Sequence, residues 1–331
     1  MDEETLFDVP VSRNRDPTIF ESNLLYFSVL IGMLIFSGVI FSLFDIENMG
    51  TLAFLALLAL LMTVVIGLPI LIYVVRGNFD YRALFRFNPV KTDELRLVAG
   101  LACLGYPVSI ALNLLWHWLI SHIGTPALPQ FPPIATLSEF LMAIIVIGVF
   151  PSVFEELMFR GIMLRAYEKL GKVAAIAITG VLFGFLHLSF ASFPVLILLG
   201  IIIGYVVYRS DSVYTGMLYH FIHNSIAVTF MFLGNLALQY VENAYVPPLV
   251  YDEQMMFVGM IVWIVIGLLS AGGFVACLIA YNHKTRDKQT QHAAIVQSPK
   301  RLFVEMLPAL GGSIIIMLML AYEVFAMIAA R

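Results

Sequence analysis

Between residues 154 and 224 the chain sets carboxylates, imidazoles, a guanidinium and an amide among otherwise apolar residues. The segments are Phe154-Glu155-Glu156-Leu157-Met158-Phe159-Arg160, Phe183-Gly184-Phe185-Leu186-His187 and His220-Phe221-Ile222-His223-Asn224. Glu156 and Arg160 stand four apart, so on a helix they can form an ion pair that neutralises both. Glu155 projects about 100° away and has no local cation. His220 and Asn224, again four apart, project side by side. A carboxylate without a cation in a low-dielectric site suits a general base, and a histidine at the same depth could hold a water with it. A second histidine with an amide supplies hydrogen-bond donors for an oxyanion. Together these groups suit hydrolysis of an amide by an activated water. No serine or cysteine stands with them as a nucleophile, and the His-Glu-x-x-His zinc signature is absent. Glu155, His187 and His220 could also ligate a metal such as zinc. On these residues alone three readings stay open: an enzyme, an ion relay in a transporter, and polar packing between helices.

The elements that must position these groups are membrane helices. The chain is 61% hydrophobic and 12% charged over 331 residues, with mean hydropathy +0.94. A soluble domain carries about 25% charged residues, so the surface of this chain must face lipid. A formal net charge of −4 with the basic residues in loops gives no support to nucleic-acid binding. Cys103 and Cys277 each lie in an apolar run, which argues against a disulfide framework or a cysteine zinc site. Hydropathy outlines nine spans: Leu24–Phe44, Thr51–Val75, Leu97–His122, Leu137–Arg165, Lys172–Phe190, Phe193–Tyr208, Ser212–Leu238, Phe257–Tyr281 and Phe303–Ala330. Phe193–Tyr208 is the shortest. The first is too long for a signal-peptide core and is expected to remain as a helix.

Charge tests this count. With nine spans and an inside N-terminus, every lysine and arginine except Arg331 falls on the inner side. The fold class expected is therefore an all-α, polytopic membrane helix bundle of about nine transmembrane helices. Residues 1–22 form an inner tail and 23–331 a single membrane domain. That domain has a core at about 137–238 and a mobile inner loop at about 282–302, beyond which the last span is expected to be peripheral. There is no internal repeat. Glu155 lies 16 residues before Gly171 and His187 16 residues after it, so a hairpin turning there puts both at one depth, roughly 24 Å from the turn. His220 lies about ten residues from the next inner turn, and a slightly protruding hairpin would bring all six polar residues to one layer near the cytoplasmic side. Gly180-x-x-x-Gly184 offers a small-residue face for close helix contact, shared by His187.

Other polar residues have plainer explanations. Trp116, His117, Trp118 and His122 suit interfacial anchoring. Glu139 suits the first turn of the fourth helix. Glu323 and Asn235 are expected to make packing hydrogen bonds, and His223 to pack rather than ligate.

The three motifs, Glu155-Glu156-x-x-x-Arg160, Phe183-x-x-x-His187 and His220-x-x-x-Asn224, in this order on separate membrane helices, resemble those of the CPBP family. That family comprises type II CAAX prenyl endopeptidases and bacterial proteases linked to bacteriocin processing and self-immunity. The resemblance implies that Glu155 activates the attacking water with help from His187. It implies that His220 and Asn224 stabilise the tetrahedral oxyanion, and that Glu156 and Arg160 hold the helices or help to bind substrate. It favours a glutamate-dependent reaction without a cofactor over a zinc-dependent one, with a membrane-associated peptide or protein as substrate. Gly161 to Leu170 look more like the bacterial branch, so cleavage of a prenylated CAAX tail does not follow. They suggest instead a bacterial or archaeal cell membrane. The rival classes are a non-catalytic immunity or scaffold protein and a transporter. Against the transporter stands the lack of paired repeats.

Overall fold

The computed structural model describes residues 15–46, 48–124, 131–243, 253–288 and 298–329, and among them there is no strand. Nine long helices follow in order: α1 Ile19–Leu43, α2 Thr51–Gly77, α3 Thr92–Ser121, α4 Leu137–Leu170, α5 Lys172–Leu186, α6 Phe193–Ser210, α7 Val213–Asn243, α8 Glu253–Lys284 and α9 Pro299–Ala329. Eight are long and apolar enough to cross a membrane; α5, with 15 residues, is the shorter ninth. The expected all-α polytopic bundle is therefore present.

Local signals set the helix ends. Thr18 accepts from the Glu21 amide at 3.1 Å while Glu21 accepts from the Thr18 amide at 3.1 Å, a capping box that starts α1 five residues before the hydropathic boundary at Leu24. Thr136 and Glu139 form the same device at the start of α4, which accounts for Glu139. Gly171, at φ 92°, reverses the chain between α4 and α5. Helix α5 ends earlier than expected. Leu188 adopts a left-handed backbone, φ 51°, so the helix stops at Leu186 instead of running to Phe190. Helix α8 runs on to Lys284 and α9 begins at Pro299, so the loop between them is shorter than its polarity suggested; residues 289–297 lie outside the described residues.

Two helices that contain internal prolines at their centre are locally widened. In α2 a π-helical stretch, Met62–Gly67, precedes Pro69; in α4 one, Ile144–Val149, precedes Pro151 and a second, Leu157–Met163, follows Glu156. Proline removes a backbone donor, and a π turn is one way to accommodate the loss. Glu155 and Glu156 thus sit on one short α-helical stretch, Phe150–Glu156, bracketed by π turns.

Helix α4 lies at the centre, touching α1, α2, α5, α6 and α7. Helix α8 packs along α3, and α9 along α1. Asn23 of α1 donates to the Glu305 carbonyl of α9 at 3.0 Å and accepts from the Tyr167 hydroxyl of α4 at 2.8 Å, so the last helix is tied to the core and does not stand apart.

The two ends of the bundle differ in charge. At one end Arg165 meets Asp16 at 3.0 Å, Lys284 meets Asp93 at 3.0 Å, Lys288 meets Glu94 at 2.7 Å, and Arg86 lies against Glu168 and Asp211. At the other, Trp116 Nε1 donates to the Phe190 carbonyl at 2.9 Å and Glu323 accepts from the Phe190 amide at 2.8 Å. Asn235 also reaches the Ile134 carbonyl there, at 3.3 Å. These are packing hydrogen bonds for Glu323 and Asn235. Trp116 is part-buried against Phe190, where the non-helical segment after His187 needs donors and acceptors from its neighbours. Grouping the basic turns at one end is what nine alternating helices require.

Candidate active site

Close backbone contact between α5 and α6 prepares the site. A Cβ on Gly180 would come within 2.9 Å of the Ile201 nitrogen, and one on Gly200 within 2.8 Å of the Gly180 carbonyl. Only glycine allows helices to touch in this way. The small face noted at Gly180 and Gly184 is thus used, with Gly200 as its counterpart.

Arg160 exploits that contact. Its side chain is fully buried, Nη2 donates to the Gly200 carbonyl at 3.0 Å, and Nε lies 3.1 Å from Glu156 Oε2. The guanidinium also stands over the Phe183 ring, 4.7 Å from its centroid. The ion pair expected from the spacing is therefore present, and it joins α4 to α6. The other oxygen of Glu156, Oε1, lies 2.9 Å from His220 Nδ1 on α7. Space for this carboxylate comes from Gly216, one turn before His220, where a Cβ would stand 3.0 Å from Glu156 Oε2. Glu156, with no exposed surface, is thus a hub between Arg160 and His220.

Phe183 is a second hub. Its ring centroid lies 4.8 Å from that of His187 and 5.8 Å from that of His220. His187 stands at the C-terminal end of α5, half-buried, with Nδ1 2.9 Å from the Phe183 carbonyl. A carbonyl only accepts, so Nδ1 carries a proton, and in the neutral ring Nε2 is the acceptor.

Glu155 is different from its neighbour. It is 5% exposed, its Oε2 is shielded and has no hydrogen-bond partner, and it joins no ion pair among the described residues. Leaving a carboxylate oxygen unmatched in such a place costs free energy unless a ligand or water fills the gap.

Asn224 lies further along α7. Its Nδ2 donates to the Ile147 carbonyl at 2.9 Å. Ile147 is four residues before Pro151, which has no N–H to offer it, so the amide supports α4 where proline opened it. Glu156, Arg160 and His220 touch directly, Phe183 links them to His187, and Asn224 meets α4 about two turns before Glu155, because α7 follows α4 along its length. His223 is buried between Tyr106 and Tyr219, with ring centroids at 5.0 and 6.3 Å, a packing position facing α3.

Among the described residues no three His, Cys, Asp or Glu side chains are grouped so as to hold a metal ion, Glu155, His187 and His220 included. His220 Nδ1 is engaged by Glu156, and His187 Nδ1 by a carbonyl.

Sequence reasoning assigned His220 to a reacting oxyanion and did not foresee its bond to Glu156. It also passed over Gly216, although Gly216-x-x-x-His220-x-x-x-Asn224 continues one face at helical spacing, a signal of the same kind as the α5 glycines.

Residues 137–226 match the family model described as type II CAAX prenyl endopeptidase Rce1-like, and this stretch contains all six polar residues. No curated protein and no solved structure matches the chain. The match agrees with the resemblance carried by the three motifs and supports intramembrane CAAX-type protease activity in general terms. The chain is an integral, multi-pass membrane protein whose residues 137–226 are similar to the type II CAAX prenyl endopeptidase family.

Proposed function

We propose that the protein is an intramembrane endopeptidase that cleaves a membrane-associated peptide or protein by an activated water. The observation that carries this reading is the unmatched, buried Oε2 of Glu155, which joins no ion pair among the described residues, beside Glu156, which is paired with Arg160 and His220. Two adjacent carboxylates in different environments take different roles. Glu155 accepts a proton from water, and His187 Nε2 accepts a hydrogen bond from the same water and so orients it. The hydroxide adds to the scissile carbonyl. The resulting oxyanion is met by the second N–H of Asn224 Nδ2 and by His220 Nε2. With its Nδ1 turned to the Glu156 carboxylate, His220 donates from Nε2 only as imidazolium. The protonated Glu155 then returns the proton to the leaving amine, completing the hydrolysis.

Glu156 and Arg160 act in this scheme as positioning residues, holding α4, α6 and α7 together. The basic end faces the cytoplasm by the positive-inside rule. A helix bundle with this site inside it selects substrates that reach the bilayer.

The test uses the full chain reconstituted in liposomes with a quenched peptide library. Cleavage should be lost in Glu155→Ala and Glu155→Gln, and persist after stringent chelation. Full activity in both Glu155 variants would sink the hydrolase reading, and loss on chelation restored by zinc would replace glutamate by metal. If a biological phenotype survived Glu155→Gln without cleavage, a scaffold role would stand in its place.

A further inference from the structure

A cavity of about 570 Å³ opens between α1 and α2 near the basic end, away from the site above. Its lining combines Arg15, Glu21, Tyr73 and Arg76 with apolar residues such as Leu24 and Ile72. Arg15 pairs with Glu21 at 2.9 Å and donates to the Gly77 carbonyl at 3.2 Å. Arg76 is exposed and has no ion-pair partner among the described residues. Tyr73 stacks on Phe79 at 5.0 Å, and its hydroxyl is shielded with no hydrogen-bond partner.

We propose that this cavity binds an anionic phospholipid, its phosphodiester at Arg76 and the Tyr73 hydroxyl and its acyl chains along Leu24 and Ile72. Three observations support this occupant. The two arginines and one glutamate leave a single positive charge, which one phosphodiester neutralises. The tyrosine hydroxyl lacks an acceptor, and a phosphate oxygen is a strong one. The polar lip lies at the basic end of two membrane helices and the apolar wall runs into the spans, the layout of a lipid with its headgroup at the interface. Arg15, held by Glu21, Gly77 and the Phe79 ring at 4.4 Å, forms a fixed wall of the pocket. A zwitterionic lipid would set its own cation against Arg76 and is disfavoured.

The experiment is native mass spectrometry of the full chain in an uncharged detergent, titrated separately with phosphatidylglycerol, phosphatidylcholine and inorganic phosphate. One phosphatidylglycerol should be retained in preference to phosphatidylcholine, and inorganic phosphate should not hold. Arg76→Glu should weaken that retention about tenfold or more. Leu24→Trp, which fills the apolar wall and leaves the charges alone, should weaken it as well. Arg96→Glu, at a basic residue elsewhere at the same end, should not. Equal retention of the two lipids, retention in both variants as in the parent, or phosphate held as firmly as phosphatidylglycerol would each overturn the proposal. None of these readouts involves peptide cleavage, so failure here leaves the hydrolase reading untouched, and the reverse also holds.

Discussion

Replacing Arg160 with methionine tests the central ion cluster. Neither Arg160 nor Glu156 has exposed surface. The substitution removes the 3.1 Å ion pair, the 3.0 Å bond to the Gly200 carbonyl and the contact with Phe183. Methionine fills much of the volume, so the main loss is the buried Glu156 charge left with His220 alone. Breaking a buried pair from one side costs about 3–5 kcal/mol. The double variant Glu156→Gln/Arg160→Met leaves no isolated charge, and its amide oxygen can still accept from His220 Nδ1; it should lose only about 1–2 kcal/mol. The double variant should therefore be more stable than the single. Equilibrium unfolding in mixed micelles at pH 8 measures both quantities. A single variant within about 1 kcal/mol of the parent at pH 8, or a double variant no more stable than the single, would refute the electrostatic account.

Gly180→Val should destabilise the bundle by about 1–3 kcal/mol, since the added atoms meet Ile201 backbone and α5 and α6 must separate; the same unfolding assay reads it. Asn224→Leu should cost about 1–2 kcal/mol through the Ile147 carbonyl. Pro151→Ala, which restores an N–H for that carbonyl, should reduce this cost, and a double-mutant cycle between the two sites would show coupling. Glu323→Leu should cost a similar amount, because the Phe190 amide loses its acceptor; hydrogen exchange at residues 188–192 should rise while that of α7 does not.

Much of this architecture could be read from the residues. Apolar runs marked all nine helices, the basic turns marked their alternation, and the i,i+4 spacing of Glu156 and Arg160 gave their ion pair. The misses share one cause, that side chains find partners through packing rather than through sequence neighbours. His220 turns to Glu156, 64 positions away, because Gly216 leaves room for the carboxylate. Glu323 turns to Phe190 because Leu188 ends α5 early. The π turns of α4 were also hidden, since hydropathy carries no record of one extra residue per turn. Yet Pro151 was a usable sign: counting four residues back names Ile147 as the carbonyl needing a donor, and Asn224 meets it. The resemblance supplied chemistry that spacing could not, while the bond by which Asn224 holds α4 came from neither.

The span of the Glu156 cluster along the chain also bears on how the protein is made. Gly200 lies 40 residues beyond Arg160, and His220 lies 64 beyond Glu156. At about 5–20 residues per second, the ribosome needs about 3–13 s to add the latter stretch. At the start of that interval the newly inserted α4 carries a glutamate and an arginine whose later partners do not yet exist. The spacing of four residues lets each neutralise the other from the moment the helix forms. The α5–α6 hairpin then delivers the Gly200 carbonyl, and α7 arrives last with His220. A chain lacking Arg160 would meet its difficulty at the moment of insertion, well before the finished bundle could reveal it.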